Sequence, residues 1–267
     1  MNVLSQEIVT MDQILETYQR VGRGKLSLEP VILRNVFPIT LEKETTRLLN
    51  LLGLYVQFSG ANSKTPKTFS SSIAKSDLSP DLIGKFEDDL GLKLGLMSDN
   101  AYHFLSNGQI YARIIWQMGY QTSISDSSNI QSKKTTGFSL PEYLTKMIVG
   151  FDDLDQFSQR VARKYIYDFV NVYFDCKRVH GSSRELRTGL IEQQTKQQVE
   201  SQGELIISAI NSVYPKVDVT PDAMRVHPMR GGYCGYILFS FDNLIQFTES
   251  KFAPVELAVK EKINFTI

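Results

Sequence analysis

The sequence predicts an α+β protein, mainly α-helical over its N-terminal three-quarters, with a small C-terminal β-sheet in the order helix, strand, strand, helix, strand. Two observations carry this. To about residue 214 apolar residues recur at steps of three and four, the spacing of one helix face. Past Tyr214 the period falls to two, as on a half-buried strand. At 267 residues the chain can bury a substantial core. It divides into a helical region, residues 1–150, with two long polar loops at 59–79 and 121–139, and a region 151–267 of long helices followed by a small α+β module.

Each element has its own signature. Ser5 followed by Ile8, Met11, Ile14, Leu15 and Tyr18 reads as a capped helix. "ITLEKETTRLLNLLG" repeats the design, with Thr40 as N-cap, Glu42 and Glu44 near the positive helix start, and Gly53 after the last turn. "SGANSKTPKTFSSSIAKSDLS" is rich in Ser, Thr, Lys, Gly and Pro and predicts an exposed loop. Ser79 and Pro80 then open a short helix. "AYHFLSNGQIYARIIWQMG" reads as two helical pieces broken at Asn107-Gly108.

The strongest helix runs from Asp152 to Lys177, with Leu154, Phe157, Val161, Tyr165, Phe169, Val172 and Cys176 on one stripe and three aspartates at its start. A second helix is expected from Arg184 to about Tyr214, with Gly203 as a break. "KVDVTPDAMRVHP" and "YCGYILFSF" read as strands, the latter covered on both faces. "DNLIQFTESKF" is a helix capped by Asp242, and "VELAVKEKINFTI" the most regular strand.

Composition excludes several classes. Charge balances at 29 basic against 29 acidic residues, so any contact with a polyanion must come from a local patch. Neither a Walker loop nor a Gly-x-Gly-x-x-Gly turn is present, which argues against an ATPase or a dinucleotide-binding dehydrogenase. No Gly-x-Ser-x-Gly elbow occurs, and the three histidines, His103, His180 and His227, lack metal-ligand spacing, so no metal and no cofactor is expected. Cys176 and Cys234, the only cysteines, suit a reducing interior. With no secretory leader pattern and no run of about 20 apolar residues, the expectation is a cytoplasmic protein with no membrane contact.

What remains is positive charge at two places. Between Arg160 and Arg187 seven basic residues stand against three acids, interleaved with Tyr165, Tyr167 and Tyr173. Local charge beside aromatics suits phosphate contacts and stacking. "KRVHGSSRELR" gathers Lys177, Arg178, His180, Arg184 and Arg187 at a corner between two expected helices. The second place is "RVHPMRGGYCGYILFSF", where Arg225, His227 and Arg230 flank a Gly-Gly turn and Ile237, Phe239 and Phe241 are expected to fill the core. Its order of helix, strand, turn and strand resembles the end of a winged helix, whose tip meets the DNA backbone.

These eight residues are the candidate nucleic-acid contacts, with DNA or RNA as partner and self-association as a further expectation. The leading function is a non-enzymatic nucleic-acid-associated or assembly protein. One alternative is a metal-dependent nuclease of restriction or phage type using Asp218 and Glu256; another is a purely structural scaffold.

Overall fold

The computed structural model describes residues 3–21, 27–59, 72–98, 101–105, 108–120, 138–179 and 186–250. The chain forms two compact units, Met1–Lys133 and Lys134–Ile267, both mixing helices with small antiparallel sheets, so the α+β class holds.

In the first unit, β1 (Glu7–Val9) pairs with β2 (Ile39–Thr40), and α1 (Met11–Val21) and α2 (Glu29–Leu33) lie between them in sequence. The cap of α1 is Thr10, not Ser5: Thr10 Oγ1 accepts from Gln13 N (3.3 Å), and Gln13 Oε1 accepts from Thr10 N (2.8 Å). Thr40 belongs to β2, and α3 begins only at Glu44 and runs to Ser59. Gly53 does not end it. It sits mid-helix against Tyr120, whose ring would lie 2.2 Å from a Cβ at that position.

β3 (Ser72–Ala74), inside the stretch expected to be a loop, pairs with β5 (Ala101–Phe104) and buries Ile73 completely. After α4 (Pro80–Leu90), capped by Ser79 as expected, β4 (Leu94–Ser98) and β5 (Ala101–Phe104) complete a sheet of order β3-β5-β4. The sequence misplaces β5 as helix. Only the piece beyond Gly108 is helical, as α5 (Gln109–Gln117), because Tyr102, His103 and Phe104 suit a pleated surface flanked by two partners.

The second unit begins earlier than residue 150: α6 (Glu142–Val149) packs on α7 (Gln156–Lys177) and α8 (Lys196–Val213). Asp155 caps α7, its Oδ1 accepting from Phe157 N and Ser158 N at 2.9 Å. Tyr165, Phe169 and Val172 are buried as the stripe predicts, but Phe157 is exposed.

β6 (Arg178–Val179) follows, and then comes the largest departure. Leu186–Gln193, expected as helix, is strand β7. Leu186, Thr188 and Leu190 are buried while the residues between them are only partly covered, a period of two. The apolar-free "EQQTKQQ" is the strand-to-helix turn, where Thr195 and Gln198 form a capping box that starts α8. Gly203 does not break α8. It lets the helix approach Met224 and Leu190.

β8 (Met224–Met229) and β9 (Gly232–Phe239) form the expected hairpin, and α9 (Phe241–Glu249) is capped by Ser240 rather than Asp242. The sheet order is β6-β7-β9-β8, all antiparallel. β9 thus returns between the two strands that α8 connects, the split β-α-β arrangement. The hairpin does not stand alone as a wing: β7 and β6 extend it, and α8 packs across β7, β8 and β9. The strand expected at 255–267 lies outside the described residues.

Candidate nucleic-acid interface

Strand register decides which side chains share a face. Opposite residues in an antiparallel pair point the same way. Leu186 faces Phe239, Thr188 faces Ile237, Leu190 faces Gly235, and Met224 also pairs with Ile237. This is the buried face: Phe239 meets Phe174 of α7 (ring centroids 5.3 Å) and Phe247 of α9 (5.4 Å), and Leu190 and Met224 meet α8 at Gly203. "YCGYILFSF" is therefore not covered equally on both sides. Phe241, expected in the core, is 76% exposed at the start of α9.

The other face carries the alternating residues. Arg187 on β7 stands opposite Leu238 of β9, while Arg225 and His227 of β8 stand opposite Tyr236 and Cys234. The Arg187 guanidinium lies over the Tyr236 ring at 4.8 Å from its centroid, within cation–π range. On β8, the His227 ring is 6.1 Å from that of Tyr236 and tilted by 58°. His227 Nε2 is 3.1 Å from Cys234 Sγ. His227 and Arg225 are exposed, while Arg187, Cys234 and Tyr236 are half-buried.

Arg225 turns back on its own loop, where it donates to the carbonyls of Asp222 and Met224. Arg230 is exposed in the turn, beside Gly231, whose φ of 102° is a conformation glycine adopts without strain.

Of the residues the sequence singles out, Arg187, Arg225, His227 and Arg230 belong to this sheet and its turn. Lys177 ends α7, and Arg178 stands in β6 opposite Thr188. His180 and Arg184, the centre of the predicted corner, lie outside the described residues. Arg160, Arg163 and Lys164 occupy the first half of α7, where Arg163 lies over Phe151 at 5.4 Å. Tyr236, which sequence reasoning passes over, is the ring that Arg187 and His227 share. Its alternation with Ile237 and Phe239 along β9 is the signal that could have found it.

Beneath this face, Tyr173 of α7 and Gln202 of α8 hydrogen-bond to β7. The Tyr173 hydroxyl donates to the Gly189 carbonyl of β7 (2.8 Å) and lies 2.9 Å from the Gln202 amide of α8. Turned so that its nitrogen meets the Ile191 carbonyl (3.1 Å) and its oxygen the Ile191 N–H (2.8 Å), Gln202 clamps the irregularity in β7 between Leu190 and Gln193. Burial raises the Tyr173 phenol well above its ordinary value, so it stays a neutral donor.

Asp218, a candidate carboxylate of the nuclease reading, is exposed before β8, its backbone N–H donating to Gln246; Glu256 lies outside the described residues. Among the described residues no group of three or more His, Cys, Asp or Glu side chains is placed to hold a metal ion. Among them, too, no helix is long and apolar enough to cross a membrane. No protein-family model matches the chain, and no curated protein matches it.

Proposed function

We propose that the second unit binds single-stranded nucleic acid on the more exposed face of its four-stranded sheet. The observation that carries this reading is the row Arg187, Tyr236, His227, drawn from three adjacent strands onto one face. Flat side chains on a sheet suit unpaired bases, which stack on aromatic rings and guanidinium planes alike. The guanidinium over the phenol ring brings a positive charge to the phosphates of a strand that passes beside it. Arg225 and Arg230 add two more cations at the hairpin edge, against Glu192 and Asp222 nearby in the same unit. The sheet topology is shared by proteins of many functions and adds no weight by itself.

Fluorescence anisotropy with labelled mixed-sequence single-stranded RNA and DNA tests the reading. Tyr236→Ala should weaken binding by roughly 5- to 150-fold, the equivalent of about 1–3 kcal/mol for one stacked base. Arg187→Ala with Arg225→Ala should flatten the dependence of log affinity on log salt by about 0.7 for each phosphate no longer neutralised. The reading fails if the parent protein binds neither strand at low salt, or if these variants bind as the parent does.

A further inference from the structure

We propose that Cys234 and His227 form a nucleophilic thiol centre on this sheet face, one that takes small-molecule disulfides and so places a modification beside Tyr236. The two residues are directly opposite in the β8–β9 register, and Nε2 stands 3.1 Å from Sγ. In the tautomer that leaves Nε2 unprotonated, the thiol donates to the ring, the arrangement in which a base activates a nucleophile. Both groups are reachable, His227 exposed and Cys234 half-buried.

On β8 stands Arg225, at the turn Arg230, and on β7 Arg187 over Tyr236. Against these three cations stand Asp222, whose backbone carbonyl accepts from Arg225, and Glu192, in the irregular stretch of β7, whose carboxylate reaches to within 3.9 Å of a Cβ built on Gly231.

The step is thiol–disulfide exchange. Cys234 passes its proton to His227, and the thiolate attacks one sulfur of the small disulfide. That S–S bond breaks as the new one forms. The departing half leaves as a thiolate and takes the proton back, so Cys234 is oxidised and half of the small disulfide is reduced.

Oxidised glutathione added to the full chain tests this, with each cysteine followed by mass spectrometry after digestion. Cys176, half-buried on α7, is the internal reference. Cys234 should form the mixed disulfide about tenfold faster than Cys176, and His227→Asn should slow it by a similar factor with the circular dichroism unchanged. Equal rates at the two cysteines, or a Cys234 rate untouched by His227→Asn, overturn the proposal. If the variant misfolds, the ratio of the two rates in the unsubstituted protein decides alone.

The consequence for binding rests on the nucleic-acid reading. The adduct's carboxylates beside Tyr236 should weaken oligonucleotide binding at least severalfold, and dithiothreitol should restore it. Equal binding by reduced and modified protein overturns that consequence. A reduced protein that binds no oligonucleotide overturns it together with the sheet-face reading, while the selectivity for Cys234 stands or falls on the rates.

Discussion

Along β7 and β9 neighbouring residues meet opposite surroundings. Leu186, Thr188, Ile237 and Phe239 are sealed against helices, while Arg187, Cys234, Tyr236 and Leu238 keep some exposure to solvent. Both sets share one backbone ladder, so the difference lies in the side chains alone. The buried set should carry stability and the open set should be dispensable for folding.

The largest test contrasts two residues of β9. Phe239→Ala removes a ring that Phe174 and Phe247 both touch, and it should cost about 3–5 kcal/mol in denaturant unfolding. Tyr236→Ala should cost under about 1 kcal/mol, in the range of surface substitutions. Comparable losses would erase the distinction between the faces.

Next comes a pair of glycines. A Cβ on Gly235 would stand 2.4 Å from the Arg225 carbonyl, which is backbone, whereas one on Gly203 would meet the sulfur of Met224, which can move. Gly235→Ala should therefore push β8 from β9 and cost about 1–3 kcal/mol. Gly203→Ala should cost less, since alanine favours the helix interior by about 1 kcal/mol. The reverse ranking would show that α8, not the strand pairing, sets the spacing of the sheet.

A smaller effect is expected where α8 begins. Thr195→Ala opens the capping box with Gln198 and should lower stability by about 1 kcal/mol, read as a shift in the denaturant midpoint.

The smallest effect appears only at alkaline pH. Burial raises the Tyr173 phenol above its ordinary 10.0. A group raised on folding contributes stability that is complete below the unfolded value and is lost as pH rises toward the folded one. Melting temperature should thus fall less steeply above about pH 10 in Tyr173→Phe than in the parent. The variant should be the less stable of the two at neutral pH, since it lacks the bond to Gly189.

Local signals in the sequence find what local chemistry determines. Ser79 with Pro80 places α4, the Gly-Gly turn places the hairpin, and Ile237 and Phe239 fall in the core as their spacing predicts. β7 reads as helix only if Arg184–Tyr214 is one element, although Thr195-x-x-Gln198 already marks a helix start within it. Phe241 reads as core only if the period of two continues one step past the end of β9. The grouping of Arg187 with Arg225 and His227 is not legible at all. Arg187 stands on β7 and the other two on β8, and only the register of both strands with β9 puts them around Tyr236.

Where a bound strand lies is read most directly by photocrosslinking. A photoactivatable single-stranded oligonucleotide would be crosslinked to the full chain at low salt, and the adducts mapped by mass spectrometry. Crosslinks are expected within Leu186–Gln193 and Gly232–Phe239, at Arg187, Tyr236 or Cys234, and should disappear in Tyr236→Ala. Crosslinks confined to other parts of the chain, or an unchanged pattern in Tyr236→Ala, would contradict the sheet-face reading.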